Sequence, residues 1–280
     1  MKKILITGKN SYVGRSFEKW LGDNPDRYFI KSISIREDTW KKMDFSKYDV
    51  VFHVAGLAHI KETKENAELY YKVNRDLAYE VAQKAKVEGV KQFIFLSSMS
   101  VYGIESGLIS KNSSPEPKSN YGKSKLQAEN LIKALGNDRF VVSIIRPPMI
   151  YGKDCKGNYT RLANLAIKIP LFPNIENKRS MIFIGNLCEF VRLIIDDSRE
   201  GYFFPQNKDY VCTSQMVKII AKLHGTNIRM TKLFNVFIRI IKINSVKKMF
   251  GNLVYDKQID DYRNSYEIYD FETSIRLTEK

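Results

Sequence analysis

A tyrosine and a lysine four residues apart stand at the start of a helical stretch, in Tyr121-Gly122-Lys123-Ser124-Lys125. At this spacing two side chains lie one above the other on one helix face, so the ammonium of Lys125 can stabilise the phenolate of Tyr121. A free tyrosine has a pKa of about 10, and a nearby cation lowers that pKa toward neutrality. The pair therefore predicts acid/base chemistry at Tyr121.

The pair alone is weak evidence, because a chain this rich in Tyr and Lys contains about one or two such pairs by chance. The ordinary alternative is a solvated lysine beside a packed tyrosine. Its position in the chain strengthens the prediction, since a buried strand at 92–96 ends in the polar stretch 97–103. Polar residues at the carboxyl end of a central strand mark the ligand crevice of an open α/β sheet. We therefore expect Ser98 to hydrogen-bond the reacting oxygen beside Tyr121.

The N-terminal residues predict a phosphate-binding corner. An apolar strand at 2–7 enters a glycine loop, and a helical stretch follows from Arg15. In such a corner the backbone N–H groups and the helix N-terminus converge on an anion. An ordinary βα turn without a ligand is the alternative. The loop pattern is Gly-x-x-Ser-x-x-Gly, and its predicted cofactor contacts are Gly8, Asn10, Ser11, Tyr12, Val13 and Gly14.

The end of the second predicted strand, at 28–35, bears on the choice of cofactor. An NAD-specific protein usually carries an acidic residue here to hold the ribose hydroxyls, and this chain has Ser34, Ile35 and Arg36. Arg36 therefore favours the 2′-phosphate of NADP(H) over NAD(H). Glu37 and Asp38 follow directly, so a slip of one or two residues in this assignment would favour NAD(H) instead.

Two further positions fit a dinucleotide. The third predicted strand ends in Ala55 and Gly56, whose small size would let a cofactor lie against the backbone. Asp44 and Phe45, which precede that strand, are predicted to bracket the adenine.

Strands and helices alternate along the first two thirds of the chain, which predicts a doubly wound parallel sheet of the Rossmann type. A helical pattern over 65–87 supplies the crossover that parallel strands require. We assign this α/β domain to residues 1–151 plus 181–207. Residues 152–180 plus 208–280 form a smaller substrate-binding part.

Composition excludes several classes of protein. The 280 residues are 44 % hydrophobic, enough for a sizeable core, and carry a net charge of +15. The cysteines and histidines are few and scattered, so no disulfide framework or metal site is expected. A P-loop is excluded because Pro117 lies where its first glycine would be. The absence of a secretory leader and of any stretch of about 20 apolar residues predicts a cytoplasmic protein.

Taken together, these features resemble the extended short-chain dehydrogenase/reductases, the NAD-dependent epimerase/dehydratase family of nucleotide-sugar enzymes. The resemblance covers residues 1 to about 205 well. One position departs from the family pattern: the middle residue of the glycine loop is Ser11 in this chain, where the family usually has a glycine. The remaining marks are Ala55-Gly56, Asn74, the stretch 97–103, Tyr121 with Lys125, Arg146-Pro147-Pro148, and Arg179 before a strand.

The family implies a role for each matching residue. Ser98, Tyr121 and Lys125 form its catalytic triad, in which Lys125 bonds the nicotinamide ribose while a hydride moves between the nicotinamide and a sugar carbon. Asn74 and Pro147 take positions beside the cofactor. Arg179 occupies the position that holds the nucleotide diphosphate, which suits a planar guanidinium. Asn158 and Arg161 are substrate candidates by position.

Within the family, the stretches 146–152, 157–162 and 250–253 look like capsule-pathway 4-ketoreductases. The expected reaction is reduction of a UDP-4-keto-6-deoxy-hexosamine for surface polysaccharide synthesis. A UDP-hexose or UDP-N-acetylhexosamine 4-epimerase with retained NAD is the nearest alternative, because the same triad serves both reactions. A non-catalytic dinucleotide-binding sensor or scaffold is the alternative from another class. The resemblance also implies a homodimer.

The segment 210–255 contains no Asp or Glu and eight Lys or Arg residues. Apolar residues interleave with the basic ones at Leu233, Phe234, Val236, Phe237, Ile240 and Ile241. This pattern suits an amphipathic helix on an anionic membrane surface at the inner face of the membrane. The alternative is a core-packed helix with a solvated basic face. No recognition motif accompanies the charge, so nucleic-acid binding is not expected.

Overall fold

The computed structural model describes residues 1–58, 60–233, 235, 238, 244–259, 262 and 265–280. The chain divides into two compact units. The first unit contains residues 1–103, 115–147 and 187–205, and the second contains residues 104–114, 148–186 and 206–280. His59 and most of the apolar positions in the middle of the acid-free segment lie outside the described residues.

The first unit is built on a six-stranded sheet with the strand order β10-β6-β4-β3-β1-β2. All neighbouring strands are parallel. The direction in which strands are added reverses at β1, which creates a crevice at the carboxyl ends of β1 and β3. This arrangement confirms the predicted Rossmann-type fold. The strands are β1 (Lys2–Thr7), β2 (Tyr28–Ile33), β3 (Val50–His53), β4 (Gln92–Leu96), β6 (Val141–Ile145) and β10 (Gly201–Phe203).

The central strands form because their residues are β-branched or aromatic and are buried on both faces of the sheet. Val51 of β3 and Phe93 of β4 are fully buried and belong to one hydrophobic cluster with residues of two helices, among them Val81 and Ile132. The helices of this unit are α1 (Tyr12–Gly22), α2 (Ala67–Tyr71), α3 (Leu77–Val87), α4 (Asn120–Lys133) and most of α6 (Ile184–Asp197).

The helical pattern at 65–87 is interrupted in the structure. A π-helical turn, Lys72–Asp76, joins α2 to α3 and places the buried Asn74 at its centre. Such turns insert one extra residue into a helix and are frequent at functional sites. The sequence pattern does not reveal the turn, because its apolar residues keep helical spacing.

The second unit combines helices with three two-stranded parallel ribbons, β7–β9, β8–β11 and β5–β12. Its helices are α5 (Asn158–Lys168), α7 (Thr213–Leu223), α8 (Asn244–Phe250) and α9 (Phe271–Glu279). The ribbon strands are β5 (Gly107–Ile109), β7 (Met149–Tyr151), β8 (Leu171–Pro173), β9 (Met181–Phe183), β11 (Arg229–Thr231) and β12 (Leu253–Tyr255).

The unit boundaries differ from the predicted ones at 104–114, 148–151, 181–186 and 206–207. Residues 148–151 and 181–186 fall in the second unit rather than in the Rossmann part, because β7 and β9 pair with each other and not with the large sheet. Residues 104–114 also belong to the second unit, because β5 pairs with β12. Short strands such as these have no periodicity that identifies their partners.

Candidate active site

The glycine loop after β1 has a backbone that only glycine adopts readily. Gly8 has φ +120°, and its N–H donates to the carbonyl of Ile33 at 2.9 Å, which ties the loop to β2. A Cβ atom on Gly8 would lie 2.8 Å from the backbone nitrogen of Ala55. The loop therefore lies directly against the chain after β3, where the missing side chain of Gly8 leaves the backbone accessible. This surface fits the close approach of a dinucleotide.

Ser11 replaces the usual middle glycine because it caps α1. Its Oγ accepts a hydrogen bond from the backbone N–H of Gly14 at 2.9 Å. A serine at this position satisfies one of the N–H groups that a helix start leaves without a partner. In the same loop Asn10 is exposed, Tyr12 is half-buried and Val13 is buried.

Gly14 has little space for a side chain, so a substitution there tests whether the glycine loop binds the cofactor. A Cβ there would lie 2.7 Å from Ser11 Oγ and 3.0 Å from Val54 Cγ2. We expect Gly14→Ala to displace the Ser11 cap and to weaken NAD(H) or NADP(H) binding by about tenfold or more, which is about 1.4 kcal/mol. The measurement is the Kd of each dinucleotide by fluorescence titration.

Gly22 provides a matched control in the same helix. A Cβ at Gly22 has no atom within 4 Å, so Gly22→Ala should leave the Kd unchanged and stabilise α1 slightly. Equal Kd values for the Gly14→Ala variant and the wild type would contradict the assignment of this loop to the cofactor.

The end of β2 and the segment before β3 present the other predicted cofactor residues. β2 ends at Ile33, and both Ser34 and Arg36 are exposed. The Asp44 carboxylate accepts hydrogen bonds from the backbone N–H and the hydroxyl of Ser46, which lower the pKa of Asp44. The Phe45 ring is fully buried in the core and cannot bracket an adenine, so within this pair only the side chain of Asp44 is exposed.

The Ser98 turn and α4 bring the serine and the tyrosine together. The Ser98 side chain lies close enough to the phenol of Tyr121 to lower its pKa, while its hydroxyl donates to Ser100 Oγ at 3.1 Å. Gly122 permits this approach, because a Cβ there would lie only 2.6 Å from the carbonyl oxygen of Ser100. The carbonyl of Pro147 accepts the N–H of Met99 at 2.9 Å, which anchors the turn to the end of β6. The structure therefore places Ser98 beside Tyr121.

Lys125 lies one turn after Tyr121 and is buried. Its ammonium donates to the carbonyl oxygen of Leu96 at 2.8 Å and lies 4.6 Å from the centroid of the Phe95 ring. A Cβ on Gly56 would lie 3.2 Å from Lys125 Nζ and 3.1 Å from Asn74 Oδ1. Lys125, Asn74 and the small residues after β3 thus meet at the crevice, as the family resemblance implies.

Asn74 is held by the chain that follows Gly56. Its Oδ1 accepts the N–H of Leu57 at 2.7 Å, and its Nδ2 donates to the carbonyl of Leu57 and to Ser124 Oγ, each at 3.2 Å. These bonds connect the π-helical turn to α4. The side chain of Asn74 is therefore held in one orientation, and its contact with the cofactor stays a prediction.

The electrostatics of the pair differ from the expectation in one respect. Burial raises the pKa of Tyr121, and the nearby Ser98 side chain acts in the opposite direction without reversing this shift. Lys125 was expected to lower the pKa of Tyr121, but its ammonium is directed to Leu96 and its own pKa falls to about 8 because it is buried. Helix spacing alone could not reveal this, since both effects depend on burial.

Sequence reasoning missed a buried ion pair behind the triad. Arg146 Nη2 and Glu129 Oε2 are 2.6 Å apart, and the side chains are 6 % and 0 % exposed. Glu129 also accepts a hydrogen bond from Ser97. In the sequence, the available indication of this buried carboxylate was the position of Glu129, four residues after Lys125.

The predicted substrate residues lie in the second unit. Arg179 is half-buried, and its Nη1 donates to the carbonyl of Gly251 at 3.1 Å. Burial lowers the pKa of Arg179, and no carboxylate among the described residues forms an ion pair with it. Asn158 and Arg161, on the first turns of α5, are exposed.

The described residues contain neither a metal-binding cluster nor a membrane-spanning helix. No group of three or more His, Cys, Asp or Glu side chains there could hold a metal ion. None of the helices in that part of the chain is long and apolar enough to cross a membrane.

Comparison with known proteins decides the family. The sequence profile of the NAD dependent epimerase/dehydratase family matches residues 4–212. The chain belongs to this family. This confirms the resemblance drawn from the glycine loop and the Tyr121/Lys125 pair, and it accounts for the α/β fold.

Two sequence relatives of this chain are named 4-epimerases. The epimerase/dehydratase chain is 32 % identical over 248 residues to a UDP-glucose 4-epimerase from Vibrio cholerae, covering 79 % of this chain and 75 % of that one. It is 30 % identical over 216 residues to the N-acetyl-alpha-D-glucosaminyl-diphospho-ditrans,octacis-undecaprenol 4-epimerase of Escherichia coli O157:H7, covering 71 % and 65 %.

A solved structure shows the same fold over nearly the whole chain. The dTDP-4-dehydrorhamnose reductase from Bacillus anthracis, in complex with NADP, has a TM-score of 0.75 at 17 % identity and covers 99 % of this chain and 98 % of that one. The epimerase/dehydratase fold of this protein is thus shared with enzymes of both reaction types. The family is described as NAD dependent and the Bacillus anthracis structure contains NADP, which together support a nicotinamide dinucleotide as the cofactor.

Proposed function

We propose that the protein is a 4-epimerase that transfers a hydride at C4 of a UDP-linked hexose or N-acetylhexosamine. The observation that carries this proposal is the placement of Ser98 beside Tyr121, one helical turn before the buried Lys125. The relatives from Vibrio cholerae and Escherichia coli support epimerisation, because each is named a 4-epimerase. Each is at least 30 % identical to this chain and covers more than two thirds of it.

The chain's own residues have distinct tasks in this proposal. The hydroxyls of Ser98 and Tyr121 hold the C4 oxygen of the sugar, and Tyr121 takes or gives its proton. A bound nicotinamide supplies or accepts the hydride. Lys125 carries positive charge beside the cofactor ribose, and Asn74 fixes the backbone at Leu57.

The glycine loop, Arg36 and Asp44 are the proposed contacts for the phosphates, the ribose and the adenine. Ala55, Gly56 and Pro147 provide the backbone surface along which the cofactor would lie. For the substrate, we assign the diphosphate to Arg179 and further contacts to Asn158 and Arg161. A half-buried guanidinium with no carboxylate partner among the described residues is suited to an anionic ligand.

Reduction of a UDP-4-keto-6-deoxy-hexosamine is the second candidate. Burial keeps the phenol of Tyr121 protonated at neutral pH, and a reductase needs this residue as a proton donor. Arg36 is exposed after β2, where an acidic residue would favour NAD(H). Both observations favour NADP(H)-dependent reduction over a cycle with retained NAD.

One assay distinguishes these candidates. The dinucleotide that copurifies with the protein is released and identified by mass, and absorbance at 340 nm is followed with NADH or NADPH and a UDP-4-keto-6-deoxy-hexosamine. Interconversion of UDP-hexoses without net consumption of cofactor supports the epimerase. Net consumption supports the reductase, and bound dinucleotide without turnover of either substrate class would leave a sensor or scaffold.

We also propose that the acid-free segment contacts an anionic membrane. Lys222, Arg229 and Lys232 are exposed, and Leu233 beside them is 79 % exposed. The Escherichia coli relative is named for a sugar linked through a diphosphate to undecaprenol, a membrane lipid, which supports a site near the bilayer. Phe234, Val236, Phe237, Ile240 and Ile241 lie outside the described residues.

Vesicle pelleting tests the membrane contact. We expect the protein to pellet with vesicles that contain anionic lipid at low salt and to be released as salt is raised, because screening weakens the attraction of basic residues. Neutral vesicles are the control, and Lys232→Glu should reduce pelleting. Failure to pellet with anionic vesicles at low salt would refute the proposal. Cytoplasmic location and a homodimer remain predictions.

A further inference from the structure

Glu129 is a buried carboxylate on the helix that carries the catalytic pair. It follows Lys125 by four residues and Tyr121 by eight, so all three lie along one face of α4. Its side chain is 0 % exposed. A charged group is rarely buried to this extent unless it is paired, and the mechanism above does not use it.

Arg146 holds this carboxylate through two nitrogens. Its Nη2 donates to Glu129 Oε2 at 2.6 Å, and its Nε lies 3.1 Å and 3.2 Å from the two carboxylate oxygens. The guanidinium also donates to the hydroxyl of Tyr102 at 2.9 Å and lies 4.4 Å from the centroid of the Tyr202 ring. The carboxylate is therefore locked in one orientation.

The same cluster reaches both halves of the catalytic site. Ser97, which donates to Glu129, directly precedes Ser98, and its backbone N–H donates to the carbonyl of Ile145 at 2.7 Å. Glu129 thus connects the end of β4, which carries Ser98, to the helix of Tyr121 and Lys125. A buried ion pair adds little stability over an apolar pair of similar volume, which leaves room for a role at the site.

We propose that Glu129 is a positioning residue whose fixed negative charge, held by Arg146 and Ser97, keeps Lys125 positively charged and in place behind Tyr121. This inference deepens the proposed function and rests on it for its kinetic consequence. Its electrostatic part concerns the folded chain alone.

The charges around Lys125 determine the sign of the effect. Burial lowers the pKa of Lys125 to about 8, and the Glu129 carboxylate opposes this by raising it. His53 of β3 is also near this lysine, and it is neutral at working pH because burial, with a smaller effect of the Lys125 charge, lowers its pKa to about 3. Tyr121 is protonated there. Without the charge of Glu129, Lys125 should lose its proton at a lower pH.

The direct test is an NMR titration of protein labelled with ¹³C at the lysine ε-carbons. Ordinary lysines titrate near pH 10.4, so a resonance that moves near pH 8 and is missing in Lys125→Met belongs to Lys125. In Glu129→Gln we expect the midpoint to fall by about one unit or more, a tenfold change in the ratio of ammonium to amine. Glu129→Asp, which keeps the charge, should restore most of the shift.

A second variant separates this effect from loss of folding. Glu129→Gln leaves Arg146 buried without its partner, whereas Glu129→Gln/Arg146→Met removes both charges and should fold more readily. Its Lys125 midpoint should also be low, while Glu189→Gln, which breaks the Arg192 pair on α6, should leave it unchanged. A wild-type midpoint in the folded double variant would overturn the inference.

The kinetic readout follows once the wild type turns over a UDP-sugar. The alkaline limb of kcat should move to lower pH in the double variant by the same amount as the NMR midpoint. A wild type without turnover would count against the proposed function and leave the NMR result standing. An unshifted limb in an active double variant would show that Glu129 does not act on catalysis through Lys125.

Discussion

Tyr121→Phe should lower kcat by at least about 10², because the variant keeps the ring but loses the hydroxyl that moves the proton. In the proposed function the hydroxyls of Ser98 and Tyr121 both hold the reacting oxygen, so that oxygen would also lose one of its two holding groups. The Kd for the dinucleotide should change by less than about twofold, since Lys125 and the glycine loop are untouched. Turnover of the UDP-sugar and a separate cofactor titration measure the two quantities.

Tyr71→Phe is the control for this variant. Tyr71 lies in the same unit, and its hydroxyl donates to Asn120 Oδ1 at 3.0 Å, at the start of the helix that carries Tyr121. Its loss should cost about 1 kcal/mol of stability and leave kcat almost unchanged. A Tyr121→Phe enzyme with wild-type kcat would remove Tyr121 from the mechanism.

Arg179→Met should raise the KM for a UDP-sugar by about tenfold or more with a smaller effect on kcat. The guanidinium is half-buried with its pKa lowered by burial, so an anionic ligand would gain a charge-assisted hydrogen bond in a site shielded from water. Methionine keeps much of the side-chain volume and removes the charge. Calorimetric titration with UDP alone measures the binding term without turnover.

Lys178→Met, which removes a neighbouring exposed charge, is the matched control. It should leave the affinity for UDP within about twofold, since exposed charges contribute little. Equal affinities in the wild type and in Arg179→Met would refute the diphosphate role.

Much of the fold could be predicted because its determinants are local. The apolar runs of β1, β3 and β4 and the glycines of the first loop are contiguous in the sequence, and buried parallel strands require such runs. The Tyr121/Lys125 pair and the polar turn with Ser98 are local for the same reason. The family followed from the order of these motifs.

The parts that were missed depend on contacts between distant residues. The short strands β7 and β9 pair with each other, although nothing in their sequences identifies the partner strand. Phe45 looks like a ligand contact beside Asp44, yet its ring is packed into the core. The deviation at Ser11 acquires its reason only from the helix that it caps.

The sequence by itself determined the family, because its motifs follow one another in a characteristic order along the parallel strands. It also determined the catalytic candidates, because helix and strand periodicities place those side chains. Only the tertiary structure decided their protonation and their support. Burial raises the pKa of Tyr121 and lowers that of Lys125, and Glu129 is held against Arg146 from another element. Desolvation and buried ion pairing depend on all the elements that surround a group, so no local pattern encodes them.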